Sequence, residues 1–273
     1  MKNNWRITFS ICLLSFVTYL NSDAEITEKD IIAQYTFDEG AGAGDAIDIS
    51  GNGHNGKFKK GASRKPGKVD RGAHFNATKG AQGIHIDNHD DLSPTKEMSV
   101  VAWVKWDKGG IKHEDPLWWP MIVMKAPVNQ AYLLFLDTGD GGNPDKPSIA
   151  FRMKGPGTVY SKVTVKEEIW YHAAGTYDGD EIKIYINGKL SNFMPGGGDI
   201  GVTEEILVIG VEGLRGDLRF HGIIDEVGIY NRALTPNEVK GTMEGLAQSV
   251  DSKDKAAVVW GMLKSQVQNK LVY

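Results

Sequence analysis

The sequence feature that most constrains the fold is a short alternating run in the second half of the chain. Between 182 and 186, isoleucine alternates with Lys183 and Tyr185, and this period of two places one set of side chains on each face of a strand. Asn187-Gly188 then supplies the left-handed backbone of a tight turn, after which 189–193 can return as the partner strand. Because 170–177 also has a strand pattern, the sequence predicts a three-stranded antiparallel meander.

Similar short apolar segments occur along most of the chain, bounded by glycine, proline, asparagine or aspartate. The further predicted strands are 32–37, 83–86, 98–106, 121–125, 132–136, 148–153, 158–165, 206–209 and 222–230. No helical period of crossover length separates neighbouring segments, which disfavours a parallel sheet. We therefore predict an all-β antiparallel sandwich. Trp103 and Trp106 fall on opposite faces of their strand, so one of the two faces should be the core.

A change of pattern near the C-terminus predicts helix. Thr235 is followed by Pro236 and then by Glu238, the pattern of a capping box with proline at the first helical position. We expect a short helix after the last strand, over 236–246. Residues 252–270 place apolar side chains at helical spacing, which predicts an amphipathic C-terminal helix within an appendage of 247–273. This helix would dock on the sandwich or on a protein partner, with a membrane-surface helix as the alternative.

The first 24 residues have the pattern of a signal peptide. Lys2 and Arg6 precede an apolar run over 7–20, and Ala24 ends a short polar stretch. The run is too short for a comfortable membrane span, although an uncleaved anchor is the alternative. Cys12, the one cysteine, lies inside this run, so a mature chain would have neither a disulfide nor a cysteine nucleophile. We expect a secreted, periplasmic or cell-surface protein with no transmembrane span in its mature form.

The charge balance argues against nucleic acid as a partner. Lysine and arginine number 31 against 35 aspartate and glutamate residues, a formal net charge of −4. A nucleic-acid-binding domain normally carries a strong basic excess. The partner that we expect is therefore not a nucleic acid.

Four stretches of sequence, taken in order, carry a resemblance to a known family. They are YTFDEG (35–40) with DISGNGHNG (48–56), GAHFN (72–76), WYHAAGTYDG (170–179) leading into IYINGK (184–189), and FHGIIDEVGIYNRALT (220–235). Together they resemble the laminin-G-like jelly rolls of the concanavalin A-like lectin and glucanase superfamily, specifically the secreted bacterial members. His74 and Asn76 depart from the family pattern. The resemblance implies one antiparallel jelly-roll β-sandwich over 25–246.

The same resemblance implies a structural calcium ion where the two ends of the domain meet. Asp48 offers a hard oxygen ligand, and the turn after it can aim backbone carbonyls and an amide oxygen at one point. By resemblance we assign Asp48, Asn52, Asn55 and Asp225 as metal ligands. The alternative is a hydrogen-bonded turn in which the aspartate caps its own backbone.

The sequence lacks the local run of paired carboxylates that cleaves glycosides on related jelly rolls, which leaves open a pair that folding brings together from distant positions. Retaining glycosidases on related jelly rolls place acidic residues two apart on one strand, because both must reach the scissile bond. Asp225 and Glu226 are adjacent, which on a regular strand points them to opposite faces. We therefore expect no catalytic residues, and a polysaccharide-cleaving enzyme is the less favoured alternative.

The connection over 112–120 is the candidate ligand-binding surface. Trp118 and Trp119 lie in this proline-bounded segment, where strand packing accounts less readily for bulky aromatic residues. Exposed indole faces can stack on a sugar ring, while His113 and Asp115 can form hydrogen bonds with its hydroxyl groups. The alternative is that both rings cap the end of the sandwich.

These observations predict a non-catalytic module that binds an extracellular glycan or glycoprotein. The alternative from another class is an adhesion or scaffolding module whose partner is a protein, contacted through the C-terminal helix.

Overall fold

A computed structural model describes residues 25–40, 44–109, 119–125, 127, 130–138, 146–211 and 218–246. The predicted signal peptide at 1–24 and the predicted helical appendage at 247–273 lie outside the described residues. Among the described residues, none of the helices has the length and apolar character needed to span a bilayer.

Sixteen strands build the described part of the molecule. In chain order they are β1 (Ile31–Tyr35), β2 (Asp45–Ala46), β3 (Gly56–Lys59), β4 (Ser63–Pro66), β5 (Arg71–Phe75), β6 (Gly83–Ile86), β7 (Met98–Trp106), β8 (Met121–Lys125), β9 (Tyr132–Asp137), β10 (Ser148–Met153), β11 (Gly157–Tyr160), β12 (Tyr171–Tyr177), β13 (Glu181–Ile186), β14 (Lys189–Pro195), β15 (Leu207–Ile209) and β16 (Gly222–Tyr230). Four short 3-10 helices occupy Glu28–Asp30, Ala77–Lys79, Asp90–Leu92 and Thr242–Glu244.

The strands form two eight-stranded antiparallel sheets packed face to face. The first sheet has the order β14-β13-β12-β7-β16-β5-β4, and β1 also pairs with β16. The second has the order β11-β10-β9-β8-β15-β6-β3-β2. Since β1 and β16 are neighbours, the two ends of the domain meet in one sheet. The predicted all-β sandwich is confirmed.

Alternation along each strand divides its side chains between two environments. In β9, Tyr132, Leu134 and Leu136 belong to the core between the sheets, whereas Leu133 and Phe135 pack on the opposite face of the second sheet. The same alternation confirms the prediction for β7. Trp106 is fully buried in the core between the sheets. Trp103 lies on the other face of the first sheet, where its ring packs edge-on against His172.

The predicted capping box is confirmed at the start of the helix α1 (Pro236–Gly241). The Thr235 hydroxyl accepts a hydrogen bond from the N–H of Glu238 at 3.3 Å, and the Glu238 carboxylate accepts one from the N–H of Thr235 at 2.7 Å. The predicted continuous helix over 236–246 is too long. Helix α1 gives way to a 3-10 turn at Thr242, and Gly245 then leaves helical space with a φ of 111°. Leu234, Val239 and Leu246 cover the outer face of the first sheet.

Five predicted strands have the observed bounds: β6, β7, β8, β10 and β16. The predicted strand over 158–165 is wrong in length, because β11 ends at Tyr160. At Ser161 the side chain takes part in place of the regular backbone ladder, because its hydroxyl accepts a hydrogen bond from the N–H of Ile149 at 3.3 Å and donates one to the carbonyl of Val163 at 3.2 Å. Strands β2 to β5 are additional to those predicted, because they are short and rich in glycine and charged side chains.

Candidate functional site

Asp48, the first expected metal ligand, sits at the centre of a hydrogen-bonded turn. Its Oδ1 accepts hydrogen bonds from the N–H groups of Gln34 and Ser50, each at 3.0 Å. Its Oδ2 accepts one from the N–H of His54, also at 3.0 Å. The carboxylate is buried, and these three hydrogen bonds offset the free energy of removing it from water.

The two asparagines of this turn serve the same backbone network. Asn55 Oδ1 accepts a hydrogen bond from the N–H of Asp48 at 2.8 Å. Asn52 Nδ2 donates to the carbonyls of Ile31 and Ile32, both at 2.9 Å. The turn is therefore attached to β1 by side-chain hydrogen bonds.

Asp225 lies on β16 and is held by a different segment. Its Oδ2 accepts hydrogen bonds from the N–H groups of Lys68 and Val69 at 2.7 and 3.0 Å, and its Oδ1 accepts from the N–H of Glu226 at 2.9 Å. The side chain is fully buried, and burial raises its pKa to about 8.

These contacts form a hydrogen-bonded turn around Asp48 and a separate set of backbone donors around Asp225. Each oxygen of Asp48 and of Asp225 already faces a backbone N–H, and the amides that hold one carboxylate are not those that hold the other. Calcium needs six to eight oxygen ligands converging on one point. Calcium binding by Asp48, Asn52, Asn55 and Asp225 stays a prediction of the family resemblance.

The expectation that Asp225 and Glu226 face opposite ways is wrong. A β-bulge between Asp225 and Gly228 interrupts the alternation, and Glu226 has a φ of 49°. Glu226 Oε2 accepts a hydrogen bond from the N–H of Leu246, within the segment that covers the outer face of the first sheet. Burial raises the pKa of Glu226 to about 7. Both carboxylates are buried and occupied by backbone amides, so neither is open to a polysaccharide.

Of the predicted ligand-binding residues, Trp119 alone lies in the described part of the chain; His113, Asp115 and Trp118 lie outside it. Trp119 is half-buried, and its ring centroid lies 5.5 Å from that of Phe135. It packs on the outer face of the second sheet with Met121, Met124 and Leu133. Its contacts agree with the alternative in which the ring covers the sandwich.

A surface cavity of about 350 Å³ opens between the β6–β7 and β14–β15 connections, and we call it the polar cavity because five of its six lining residues have polar side chains. It is lined by Asn88, Asp90, Ser93, Val202, Thr203 and Glu204. This cavity is not predictable from the sequence, because the two loops are more than a hundred residues apart and neither carries a recognisable motif. The only local signal is the concentration of carboxylate, amide and hydroxyl side chains in both.

One direct hydrogen bond and the side chain of Lys125 join the two loops of the cavity. Ser93 Oγ donates to the carbonyl of Thr203 at 3.4 Å. Lys125 is fully buried, and its ammonium group donates to Asn88 Oδ1 at 2.5 Å and to the carbonyl of Glu205. Burial lowers the pKa of Lys125 to about 8. The mouth of the cavity is therefore held by a fixed set of contacts.

Comparison with known proteins gives a family match and several structural relatives. The family described as the concanavalin A-like lectin/glucanases superfamily, Laminin_G_3, matches residues 78–240. The human Adhesion G-protein coupled receptor D1 is 39% identical over 74 residues, which is 26% of this chain and 8% of the receptor. This chain thus spans a small part of that relative.

Three solved structures show the same fold at low sequence identity. Domain 4 of AbnA, a GH43 extracellular arabinanase from Geobacillus stearothermophilus in complex with arabinotriose, is 24% identical with a TM-score of 0.56, over 78% of this chain and 98% of that one. The binding domain of Paraclostridial Mosquitocidal Protein 1 is 18% identical with a TM-score of 0.60, over 81% and 53%. The botulinum neurotoxin serotype D ligand binding domain in complex with N-acetylneuraminic acid is 14% identical with a TM-score of 0.57, over 81% and 52%.

Proposed function

Because the chain belongs to the concanavalin A-like lectin/glucanase superfamily, we propose that it is a non-catalytic extracellular module that binds carbohydrate. The observation that carries the proposal is the likeness to domain 4 of the arabinanase, since the sandwich covers 98% of a domain whose structure contains arabinotriose. The sialic acid complex of the neurotoxin domain supports the same class of ligand. Fold alone does not fix function, so the site must supply the chemistry.

The polar cavity is the surface that we assign to the sugar. Asp90 and Glu204 offer carboxylates, Asn88 offers an amide, and Ser93 and Thr203 offer hydroxyl groups. These are the groups that form hydrogen bonds with sugar hydroxyls, and Val202, which is 59% exposed, offers an apolar contact. Two carboxylates at the mouth repel anions, so we propose a neutral oligosaccharide rather than a sialylated one.

The burial of Asp225 and Glu226 supports non-catalytic binding, and we assign the two carboxylates of the cavity, Asp90 and Glu204, to hydrogen bonds with sugar hydroxyl groups. The adjacent carboxylates of Asp225 and Glu226 are buried and hydrogen-bonded to backbone amides. Cleavage of a glycosidic bond needs two carboxyl groups that flank it. We therefore propose that the protein binds and releases a polysaccharide without cleaving it. The export signal at 1–24 belongs to the same proposal, because an extracellular glycan requires a secreted or surface-attached protein.

One observation favours a second candidate function, a protein-binding adhesion module. The partial relative is an adhesion receptor, and the match is 39% identical over 74 residues. The expected contact would be the predicted C-terminal helix. If the chain is a protein-binding module, we expect no saturable binding to any glycan.

A glycan array separates these functions. Wild-type protein should bind neutral oligosaccharides saturably and leave sialylated ones unbound, and incubation with soluble arabinan should release no reducing ends. Trp119→Ala is compared with Trp170→Ala, a second half-buried tryptophan that lies elsewhere on the sandwich. Loss of the array signal in Trp119→Ala alone would move the site to the tryptophan segment. An empty array would contradict carbohydrate binding, and reducing ends would contradict a non-catalytic role.

A further inference from the structure

A compact cluster of two histidines and one aspartate lies beside the cavity. His54 Nε2 donates a hydrogen bond to Asp91 Oδ2 at 3.0 Å, and His89 Nδ1 donates one to Asp91 Oδ1 at 2.8 Å. The two imidazole rings have their centroids 5.0 Å apart. One ligand atom from each residue lies within 4.8 Å of the other two, the only such group of three found among the described residues.

The backbone positions of the cluster are fixed by buried contacts. His54 donates its N–H to Asp48 Oδ2, and its carbonyl accepts a hydrogen bond from the Tyr35 hydroxyl at 2.6 Å. Asp91 lies in the 3-10 turn Asp90–Leu92. Leu92 of that turn is buried in the core, and its carbonyl accepts a hydrogen bond from the Tyr132 hydroxyl at 2.9 Å. Two loops distant in sequence thus bring the three side chains together on anchored backbone.

We propose that His54, His89 and Asp91 form a binding site for a divalent transition-metal ion of the zinc class. Two imidazole nitrogens and one carboxylate oxygen are ligands that zinc takes readily, whereas calcium prefers an all-oxygen shell. Three protein ligands leave a fourth tetrahedral position for water. This site is distinct from the expected calcium turn, because it uses nitrogen ligands and none of the four residues assigned there.

The distances between the ligand atoms of the cluster need to change only slightly when a metal ion binds. Zinc lies about 2.0–2.2 Å from nitrogen and oxygen ligands, so neighbouring ligand atoms of a tetrahedral site are about 3.4 Å apart. The two hydrogen bonds at 3.0 and 2.8 Å would lengthen by about half an ångström as the ion replaces their protons. The side chain of His89 is 64% exposed, so its ring can turn, while the side chain of His54 is 4% exposed and stays fixed.

The cluster and the polar cavity use different residues of one loop. Asn88, Asp90 and Ser93 line the cavity, whereas His89 and Asp91 contact His54. Sugar binding and metal binding are therefore separate predictions, and either can fail alone.

Titration calorimetry with zinc chloride on chelator-treated protein tests the proposal. We expect a saturable site whose affinity falls at least tenfold in His89→Ala and in Asp91→Ala. His89 and Asp91 are exposed, so both variants should keep the wild-type circular dichroism spectrum. His85→Ala is the matched control, because His85 lies on β6 outside the cluster and its loss should leave the affinity unchanged.

Cobalt(II) supplies a spectroscopic readout of the same site. A tetrahedral site gives intense visible absorption, which should appear in wild-type protein and in His85→Ala and be lost in His89→Ala. A hundredfold excess of calcium should not displace the cobalt. Zinc binding of wild-type affinity in both His89→Ala and Asp91→Ala, or no saturable binding in wild type, would overturn the proposal.

Discussion

The ammonium group of Lys125 donates a hydrogen bond to Asn88 Oδ1 at 2.5 Å from a fully buried position at the end of β8. The same ammonium group donates to the carbonyl of Glu205, so one side chain joins the two loops that form the polar cavity. The cavity is thus supported from within the second sheet rather than by its exposed residues alone.

Lys125→Met should lower the affinity for the oligosaccharide while leaving the free energy of unfolding nearly unchanged. Methionine retains most of the aliphatic volume, and removing a buried charge offsets the loss of its hydrogen bonds. We expect the free energy of unfolding to change by less than about 1.5 kcal/mol, as for volume-conserving core substitutions. The affinity for the bound oligosaccharide should fall at least fivefold, measured by calorimetry. Unchanged affinity would show that Lys125 does not organise the sugar site.

Asp48→Ala should be strongly destabilising. The substitution removes the acceptor for three N–H groups, those of Gln34, Ser50 and His54. An unsatisfied buried donor costs about 1–3 kcal/mol, so we expect the free energy of unfolding to fall by about 3 kcal/mol or more in urea denaturation. Asp87→Ala, at an exposed carboxylate, should change it by less than about 0.5 kcal/mol. Equal stability of the two variants would contradict the role of the turn.

The melting temperature tests the predicted calcium ion. A ligand that binds only the native state raises stability with its concentration. If Asp48 and Asp225 share an ion, calcium chloride should raise the melting temperature of chelator-treated protein saturably in differential scanning calorimetry, and Asp225→Asn should abolish the rise. An unchanged melting temperature would contradict the shared ion and leave backbone N–H groups as the partners of both carboxylates.

His172 should make the protein less stable as the pH falls. The Thr242 hydroxyl donates to the carbonyl of Val239 at 2.9 Å, so it accepts from His172 Nε2 at 3.2 Å, and Nδ1 has no partner within the described residues. Burial lowers the pKa of His172 to about 3. The ammonium group of Lys68 lies 4.4 Å from the centroid of the neighbouring Trp103 ring, and this cation does not favour a second positive charge on the imidazole.

The sign of this effect follows from proton uptake by the unfolded chain. Between about pH 6.5 and pH 3 the unfolded histidine binds a proton that the folded one does not, so stability is full above pH 6.5 and is lost as the pH falls. The slope is at most about 1.4 kcal/mol per pH unit. His172→Gln keeps a donor without a titrating group, and urea denaturation at pH 7, 5 and 4 should show the two proteins diverging. Parallel profiles would contradict a neutral buried His172.

The strands that the sequence predicts correctly are those with β-branched, apolar cores. Strands β7 and β16 are buried along nearly their whole length, so their apolar runs mark both ends. Strand β4 has the sequence SRKP and lies at the edge of the first sheet, where pairing is decided by tertiary neighbours rather than by composition. The bulge at Asp225 is likewise a response to packing, and adjacent acidic residues alone do not predict it.

The candidate sites were less predictable, because they depend on loops meeting in space. His54 and Asp91 belong to separate connections, and the sequence carries no metal-ligand spacing that links them. Lys125 resembles a surface residue at a strand end, although it is fully buried. The sequence suggests that Trp119, in a proline-bounded loop, is exposed for ligand binding. In the structure its ring packs on Phe135 as part of the sandwich.

The central claim is that the polar cavity binds a neutral oligosaccharide, and calorimetric titration on cavity variants tests it most directly. The probe is the neutral oligosaccharide that gives the strongest array signal, with arabinotriose included in the first set. Glu204→Ala and Asp90→Ala remove the two exposed carboxylates of the cavity, and Glu97→Ala is the matched control at an exposed glutamate outside it. The account predicts a one-to-one complex whose affinity falls at least tenfold in both cavity variants and is unchanged in Glu97→Ala. Wild-type affinity in both cavity variants would contradict it.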